Sequence, residues 1–554
     1  MAKKKLFFLF SILLSMVGTK ASAYDIAVEN EDGVTIYYNY INDGKELEVA
    51  KQYRAYNGLT NLKIPAEVTF MNRTRKVTSI EAWAFHPISY YSHNIVLTTI
   101  YIPKTINHIG KAAFWDCETL EKVYIEDVGA WCEIIFELDG GTNGYGGLLS
   151  NPLRYAKHLY SYDNSEITDL VIPEGTSNIR YGAFYNCFSF TSVKVTNSVK
   201  NIEQYSFFRA ENIKRLDVGN GVQSIGAYAF YGCKNLNTIS FGDGIKSIER
   251  YAFQESNNLD KIIVNDIGVW CGIDFKYEQN GTPFIYEGTY SKPSRYIHLY
   301  SDDTHIITDL IIPESISTIK EWSFHGIAGI KSIVIPNNVI SIERDAFSYC
   351  PDLENVTIGD GMTEIGWKVF GGCSKLSDVN FGQNVTKIGY AAFQECGFTT
   401  LNLPNGLKVI SEYSFNDCSK LTSLTIPSSI EEIDVNAFGG ADIYSVISLI
   451  EEPFSIATHY SYTSETYYPF SKNTINNATL YVPIGTIEKY KETDGWKDFV
   501  FIEEGSPSSI TNVESEGIYE LKRHTLDGKV VKNPQKGINI VQMNNGAIKK
   551  VVVK

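Results

Sequence analysis

The sequence is short of the residues that mark several common protein classes. Its nine cysteines in 554 residues are too few for a disulfide-stapled scaffold, and their odd number leaves at least one thiol unpaired in a monomer. Only five methionines accompany 29 phenylalanines and 36 tyrosines, a balance typical of β-rich proteins. These shortages favour a β-rich fold whose core does not depend on disulfides.

Basic charge is also scarce. The 49 Lys and Arg residues face 64 Asp and Glu residues, which gives a formal net charge of −15. No basic segment is interleaved with aromatic residues, so nucleic acid is not an expected partner. The charge is uneven, because Glu520 to Lys554 contains eight Lys or Arg and two Asp or Glu, so this end carries +6 and the remainder −21.

No hydrophobic run is long enough to span a membrane. The longest, Leu6 to Val17, has 12 residues, whereas a transmembrane helix needs about 20. Three lysines precede this run and Ala21-Ser22-Ala23 follows it, a pattern typical of a signal peptide that is cleaved between Ala23 and Tyr24. An uncleaved anchor is the alternative, which the short run disfavours. The sequence therefore predicts residues 1–23 as an export signal and a secreted or cell-surface protein.

A period of 23 residues organises most of the chain. Twelve segments of the form Ile-x-x-x-small-Phe recur, seven of them followed by a Cys three residues after the Phe. Eleven of the phenylalanines are predicted to form one buried column: Phe114, Phe184, Phe207, Phe230, Phe253, Phe324, Phe347, Phe370, Phe393, Phe415 and Phe438.

A second pattern lies between the Phe motifs. It has the form apolar-x-x-apolar-x-apolar, as in Leu421-Thr-Ser-Leu424-Thr-Ile426, and its alternating part predicts a short strand. Pro, or Gly-Asn-Gly and Gly-Asp-Gly, follows as a turn. A unit this short cannot bury its own apolar face, so units must stack with their strands in parallel. The sequence therefore predicts one continuous repeat solenoid.

These motifs resemble the BspA-like leucine-rich repeat, whose unit is Leu-x-x-Leu-x-Ile-Pro-x-x-Val-x-x-Ile-x-x-x-Ala-Phe-x-x-Cys-x-x. The stretch from Ser332 to Ile426 matches it almost unit by unit, as in Ile335-Pro336-Asn-Asn-Val339 followed by Ala346-Phe347-Ser-Tyr-Cys350. The resemblance covers roughly residues 60 to 445. It implies a leucine-rich repeat solenoid and adhesion to host extracellular-matrix glycoproteins or cell surfaces.

Two inserts interrupt the Phe series and are copies of each other. Residues 126–166 and 265–306 share Val/Ile-Gly-Ala/Val-Trp-Cys and His-Leu-Tyr-Ser. Their aromatic residues Trp131, Tyr155, Trp270 and Tyr296 form recognition loops in one interpretation and pack against the coils in the other. The repeat cysteines are expected to be free, buried fillers, with disulfides between coils as the alternative.

The remaining segments complete the predicted domain organisation. Residues 24–60 form an N-terminal β cap, 61–445 the solenoid with its two inserts, 446–504 a C-terminal cap with a short helix, and 505–510 a linker. Residues 511–554, with Gly517-Ile-Tyr519, Leu526-Asp-Gly528 and the final Lys-Lys-Val-Val-Val-Lys554, resemble a type IX secretion sorting domain. A plain β cap is the alternative for this basic end.

Catalytic and metal-binding motifs are missing from the sequence. It contains no His-Glu-x-x-His, Gly-x-Ser-x-Gly, phosphate-binding loop or CxxC pair, and its nine histidines lack ligand spacing. Each Gly-Asp-Gly offers one carboxylate, so these are expected to be turns and not calcium sites. We expect no enzyme activity, no metal and no cofactor.

The candidate binding residues lie at outward strand positions, which would line one face of a curved sheet. They are Lys122, Tyr124, Lys194, Arg215, Asp217, Lys261, Asn380 and Asn402, together with the four insert aromatics. The leading hypothesis is a bacterial protein that binds proteins or glycoproteins as a host-adhesion factor. The alternatives are a glycan-binding module that uses exposed insert aromatics and a structural surface-assembly protein.

Overall fold

The computed structural model describes residues 24–51, 56, 58–86, 96–138, 148–276, 284, 295–456, 458–459, 466–505, 520–525, 537–543 and 548–553. The chain divides into two compact units, Met1–Val269 with Ile273–Ser294 and Trp270–Gly272 with Arg295–Lys554. The predicted cleavage residue Ala23, the Gly-rich stretch 140–147 and most of the 505–510 linker lie outside the described residues. The predicted domain boundaries and the single continuous solenoid remain predictions.

The first unit begins with a small sheet, of which the first three strands lie in the segment 24–60 predicted as a β cap and the other two follow it. Three strands pair in antiparallel order, a further hairpin follows, and its second strand pairs in parallel with the third strand. These strands are Ile26–Glu29, Thr35–Ile41, Glu46–Val49, Glu67–Phe70 and Arg73–Ile80.

The rest of the first unit is a stack of coils that each contribute two strands. The longer strands form one set of parallel ladders: Asn61–Lys63, Thr99–Ile102, Lys122–Ile125 and Leu159–Ser161, then Asp169–Val171, Ser192–Lys194, Arg215–Asp217, Thr238–Phe241 and Lys261–Val264. The two-residue strands form a second set: His108–Ile109 and Ile135–Phe136, then Asn178–Ile179, Asn201–Ile202, Ser224–Ile225, Ser247–Ile248 and Asp274–Phe275. The regular coils pair with a shift of one 23-residue repeat, as Ser192 with Arg215 and Arg215 with Thr238.

The second unit has the same construction. Its longer strands are Ile297–Tyr300 with Ile327–Ala328, then Asp309–Ile311, Ser332–Ile335, Asn355–Ile358 and Asp378–Asn380, then Thr400–Asn402, Ser423–Ile426, Ser445–Ser448, Thr479–Val482 and Phe501–Glu504. Its two-residue strands are Thr318–Ile319, Ser341–Ile342, Glu364–Ile365, Lys387–Ile388, Val409–Ile410 and Glu432–Ile433. The parallel-strand repeat solenoid predicted from the sequence is confirmed.

Helices and terminal strands complete the described chain. The helices are Val128–Cys132, Leu153–Ala156, Ile267–Cys271, Lys472–Asn477 and Ile487–Glu492, and the last of them is the short helix expected in the C-terminal cap. Thr458–His459 pairs with Thr466–Tyr467. At the C-terminus, Glu520–Thr525, Gly537–Met543 and Ile548–Val553 form an antiparallel three-stranded sheet.

Each of the two units contains a column of buried phenylalanines. All eleven predicted phenylalanines are fully buried, and rings on successive coils stack with centroids 4.9 Å apart between Phe207 and Phe230 and 5.5 Å apart between Phe415 and Phe438. Burial of each ring contributes about 1.5–3 kcal/mol. The columns also include Phe85, Phe284 and Phe470, each stacked on a predicted member. Phe284 and Phe470 lie outside any Ala-Phe motif, so periodicity did not reveal them.

Backbone contacts around each phenylalanine explain the Ala-Phe-x-x-Cys motif. The Phe347 N–H donates to the carbonyl of Val369 on the next coil at 3.0 Å, and the Phe347 carbonyl accepts from the Cys373 thiol at 3.2 Å. Two residues of the next coil, those flanking Phe370 in its motif, therefore hydrogen-bond to the Phe347 peptide. Val369 accepts from its N–H, and Cys373 donates to its carbonyl. In the coil where Ser256 replaces Cys, its hydroxyl donates to the Phe230 carbonyl at 3.0 Å.

All nine cysteines are buried and free, which confirms the filler interpretation over disulfides. The repeat thiols also act as donors, which the sequence did not predict. Burial raises the pKa of the Cys187 and Cys418 thiols to about 12, so these thiols stay protonated and unreactive at neutral pH.

The glycine turns are explained by close approach between coils. A Cβ on Gly361 would lie 2.1 Å from the Asn337 carbonyl oxygen, and one on Gly221 would lie 1.7 Å from that of Asn197. Side chains link the same turns, because the Asp360 N–H donates to Asn337 Oδ1 at 2.9 Å and the Gln383 N–H to Asp360 Oδ1 at 2.8 Å. Turn geometry therefore accounts for Gly-Asp-Gly, as predicted.

The described parts of the duplicated inserts continue the coils. Ile135–Phe136 pairs in parallel with His108–Ile109, and Leu159–Ser161 pairs in parallel with Lys122–Ile125. In the second copy, Asp274–Phe275 pairs with Ser247–Ile248. For the tryptophans the packing interpretation holds over the recognition loops, because Trp131 and Trp270 lie on short helices and are buried.

A buried polar cluster lies in the second unit beside Phe324 and Phe347. Asp345 is 2% exposed and accepts from Arg344 Nε at 3.0 Å, while Lys368 Nζ donates to the Tyr349 hydroxyl at 3.2 Å. His325 Nδ1 lies 2.6 Å from Ser348 Oγ. Burial and, to a smaller extent, the charge of Lys368 lower the pKa of His325 to about 3, so its imidazole is neutral in the folded protein at neutral pH.

The thiol donors make a testable prediction. We expect Cys373→Ala to lower the free energy of unfolding by about 1–2 kcal/mol, because it removes both packing and the donor to the Phe347 carbonyl. We expect Cys373→Ser to lose less, because Ser256 fills the equivalent position naturally. Urea denaturation followed by circular dichroism measures both, with Ser256→Ala and Ser256→Cys as the matched pair. A serine variant less stable than the alanine variant would contradict the donor role.

The neutral histidine makes a second prediction. Between its usual pKa of 6.5 and about 3, the unfolded chain binds a proton at His325 that the folded chain does not, so stability should fall as pH falls through this window. Burial raises the pKa of Asp345, which gives the opposite slope at the same cluster. We expect His325→Asn to reduce the loss of stability between about pH 7 and about pH 5 in urea titrations. His305→Asn, at an exposed position of the same unit, is the control. An unchanged loss in the His325 variant would refute the assignment.

Candidate functional site

The outward strand positions are solvent-facing to different degrees. Lys122, Lys194, Asn380 and Asn402 are exposed. Arg215, Asp217 and Lys261 are half-buried.

Two charged residues of the predicted set pair with each other. Arg215 Nε lies 2.8 Å from Asp217 Oδ1 on the same strand, and Lys194 is the register partner of Asp217 on the neighbouring strand. Thr238 is the register partner of Arg215 on the next strand, and Lys261 is the register partner of Thr238 on the strand after that. These residues form a patch of mixed charge in the first unit.

The two insert tryptophans are core residues. Trp131 is 1% and Trp270 is 2% exposed. Each indole N–H donates to a backbone carbonyl, Trp131 to Ala183 at 2.9 Å and Trp270 to Ser323 at 2.7 Å. A sugar cannot stack on rings enclosed in this way, so the prediction of Trp131 and Trp270 as binding residues, and of a glycan site built on them, was wrong.

The two insert tyrosines are half-buried. The Tyr155 hydroxyl accepts from the Asp116 N–H at 2.9 Å, so it links the insert to the preceding coil. Nothing in its contacts indicates a ligand, and Tyr155 and Tyr296 stay predictions as binding residues.

A row of tyrosines forms the most distinctive outward surface of the first unit. Tyr101, Tyr124 and Tyr160 are register partners on three adjacent strands. The rings of Tyr101 and Tyr124 stack with centroids 4.3 Å apart and planes 10° apart, and Tyr160 lies 5.1 Å from Tyr124. Tyr124 points outward but is only 6% exposed, because its neighbours cover both ring faces.

Two further side chains extend this tyrosine row. Tyr162 packs edge-on against Tyr101 with centroids 5.7 Å apart, and Lys122 Nζ lies 5.4 Å from the centre of the Tyr160 ring. Burial raises the pKa of the Tyr101, Tyr160 and Tyr162 hydroxyls, so they are protonated donors at neutral pH. The Tyr162 hydroxyl is out of contact with solvent and has no hydrogen-bond partner among the described residues.

A hydrogen-bonded carboxylate supports the end of the row. The backbone of Glu166 forms an isolated antiparallel β-bridge with that of Tyr160. Its carboxylate accepts hydrogen bonds from His158 Nδ1 and from Ser189 Oγ, both at 2.7 Å. Burial alone would raise the pKa of Glu166, but the hydrogen bonds from His158 and Ser189 outweigh it and lower the pKa. The carboxylate therefore stays ionised and fixes the strand that carries Tyr160.

The internal duplication shows that the fold does not require Tyr101, Tyr124 or Tyr162, although it keeps Tyr300 where the first copy has Tyr160. The second copy keeps the buried Trp270, Cys271 and Phe275, but it has Ser240, Ile263 and Asp302 where the first has Tyr101, Tyr124 and Tyr162. Because Ser240 and Ile263 are themselves register partners, the same strands form without aromatic side chains. The row is a feature of the surface and not of the coil.

Sequence inspection found Tyr124 and Lys122 but missed Tyr101, Tyr160 and Tyr162. Tyr101 occupies the same alternating position as Tyr124, one repeat earlier, so the strand pattern contains its signal. Tyr160 and Tyr162 lie at the end of an insert, where the 23-residue period gives no register.

The described residues contain neither a metal cluster nor a membrane-spanning helix. No group of three His, Cys, Asp or Glu side chains among them is placed to hold a metal ion. None of the helices in this part of the chain is long and apolar enough to cross a bilayer.

Stacked parallel coils with an inward aromatic column and an outward strand face define a leucine-rich repeat protein. The chain belongs to the family described as BspA type leucine rich repeat region, whose model matches residues 52–132, 158–271, 298–398, 341–466 and 386–490 in six copies. No curated protein matches the chain.

Solved structures share the repeat fold. A leucine-rich repeat protein from Bacteroides ovatus is 23% identical, with a TM-score of 0.50 over 76% of this chain and 94% of that chain. A leucine rich cell surface protein from Faecalibacterium prausnitzii is 21% identical, with a TM-score of 0.34 over 77% and 96%. A leucine-rich repeat protein from Eubacterium ventriosum is 17% identical, with a TM-score of 0.35 over 79% of this chain and 98% of that chain. The Bacteroides ovatus structure supports the fold.

Proposed function

We propose that the protein is an exported bacterial surface protein that binds a protein or glycoprotein ligand through the outward strand face of its first unit. The observation that carries this proposal is the tyrosine row, Tyr101, Tyr124, Tyr160 and Tyr162 with Lys122. The duplicate copy folds without three of its tyrosines, Tyr101, Tyr124 and Tyr162. Host extracellular-matrix glycoproteins are the ligand class that the family resemblance suggests.

The chemistry of the row suits a protein ligand. Stacked tyrosines cover each other's faces and present ring edges and hydroxyls, which combine apolar contact with hydrogen bonding at low entropic cost. A sugar ring would need an open aromatic face, and the stacking leaves little of that.

The row makes a direct prediction. Replacing Tyr101 by Ser and Tyr124 by Ile installs the residues of the second copy, so the double variant should fold normally. We expect it to bind the captured matrix glycoprotein about thirtyfold more weakly, because central interface tyrosines contribute about 2 kcal/mol or more. Binding of the mature full-length protein to an array of matrix glycoproteins identifies the ligand, and surface plasmon resonance measures the affinities.

A matched control separates the row from general aromatic contact. Tyr390 is 41% exposed and lies three residues before Phe393, away from the strand face, so Tyr390→Ser should bind normally. Unchanged affinity of the Tyr101/Tyr124 variant would remove the strand face from the proposal. Failure to bind any array member, with lateral self-association of the protein, would favour a structural surface-assembly role.

Export and display make a separate prediction. Residues 511–554 are proposed to be a type IX sorting domain, supported by the basic C-terminal segment and its β strands. Deleting them should leave the protein in the periplasm, as measured by fractionation and by protease treatment of intact cells. The full-length chain is the control, and mass spectrometry should show both starting at Tyr24. Normal surface display of the truncated chain would eliminate the sorting role.

A further inference from the structure

A groove on the second unit has a chemistry that differs from the tyrosine row. It has a cavity volume of about 650 Å³ and lies where the strands Ser332–Ile335, Asn355–Ile358 and Asp378–Asn380 meet their turns. Ligand sites usually have volumes of about 300–1,000 Å³. The groove therefore has the size of a small-ligand or oligosaccharide site.

Polar groups repeat along this groove from coil to coil. Thr357 and Asn380 are register partners on its strand side, beside the apolar Val334, and Asn337, Asp360 and Gln383 follow on its turn side. Parallel strands are about 4.8 Å apart, so these groups recur at about that interval. A regular row of this kind fits a polymer whose own polar groups recur along its length.

The wall of the groove is uncharged apart from two carboxylates. Among the lining residues, only Glu314 and Asp360 are ionisable, and neither Lys nor Arg is present. Without a cation, the groove disfavours phosphate, sulfate and sialic acid. The amides of Asn380 and Gln383 and the Thr357 hydroxyl supply both donors and acceptors, which is what sugar hydroxyls require.

The groove is rigid and also has apolar contact surface. The hydrogen bonds from the Asp360 N–H to Asn337 and from the Gln383 N–H to Asp360 fix successive turns before a ligand arrives. Val334 is 40% exposed and Phe381 is half-buried, so C–H surface lies beside the polar groups. The corresponding strand positions of the first unit carry Lys194, Asp217 and Ser240, so the uncharged character belongs to these coils and not to the fold.

We propose that this groove binds an uncharged oligosaccharide, with Thr357 and Asn380 hydrogen-bonding its hydroxyl groups. This site is independent of the tyrosine row and would give the protein a second ligand of a different class. Sugar hydroxyls replace water as the hydrogen-bond partners of the exposed amide and hydroxyl groups, and the sugar C–H faces cover Val334 and Phe381.

The test uses the mature full-length protein and a panel of neutral gluco-, galacto- and manno-oligosaccharides, with sialylated and sulfated oligosaccharides as comparators. We expect at least one neutral member to bind by calorimetry and the charged members not to bind. Thr357→Val and Asn380→Leu should each weaken that binding about three- to tenfold, because each removes a hydrogen bond. Thr425→Val changes the same residue type as Thr357→Val at an outward position of a later strand outside the groove and should bind normally.

Each result decides the proposal. Absence of binding by every neutral oligosaccharide, stronger binding of charged ones, or unchanged affinity in the Thr357 and Asn380 variants would overturn it. Loss of matrix-glycoprotein binding in these variants would make the groove a protein site and would also overturn it. Because the Tyr101/Tyr124 variant leaves the groove intact, it should keep oligosaccharide binding, so failures of the two sites are distinguishable.

Discussion

The structure depends on the pairing of each coil with the next around a buried phenylalanine peptide. The Phe230 N–H donates to the Ala252 carbonyl at 2.7 Å while its carbonyl accepts from Ser256, and the rings of Phe230 and Phe253 stack at 5.2 Å. Tyr228 and Gly232 flank this ring in left-handed backbone conformations, with φ of 58° and 70°, which turn the chain on both sides of it. A shift of one residue would misplace the ring, the donor and both turns together, so the 23-residue spacing is strongly constrained.

This constraint separates the side chains into two groups. Inward positions must repeat, because each contacts the same position of the neighbouring coil, whereas an outward side chain need only leave the strand intact. The two copies of the duplicated segment show the difference, since Trp131 and Trp270 have equivalent hydrogen bonds while Tyr124 corresponds to Ile263. Outward residues that differ between copies are therefore where function can differ within one scaffold.

The sequence predicted the parts of the fold that repeat and missed the parts that depend on register between unlike segments. The eleven phenylalanines, the free cysteines and the glycine turns follow from periodicity, because every repeat imposes the same packing. Phe284 and Phe470 enter the column from segments without the motif, and Tyr160 joins Tyr124 only after the helix Leu153–Ala156 returns the chain to the strand face. Residue type left the tryptophans open to both recognition and packing, and their burial and hydrogen bonds show that they pack in the core.

The same backbone supports two chemically different surfaces because its hydrogen bonds are satisfied between coils and do not involve the outward side chains. On the first unit, stacking between Tyr101 and Tyr124 excludes water from ring faces and leaves hydroxyl edges outward. On the second, Thr357 and Asn380 lie at consecutive outward positions of a groove whose lining has no Lys or Arg, and the hydrogen-bonded Asn337 and Asp360 turns hold its edge. Since neither surface contributes to the phenylalanine column, substitutions at one surface should leave both the coil and the other surface unchanged, which makes their binding functions separable in a single chain.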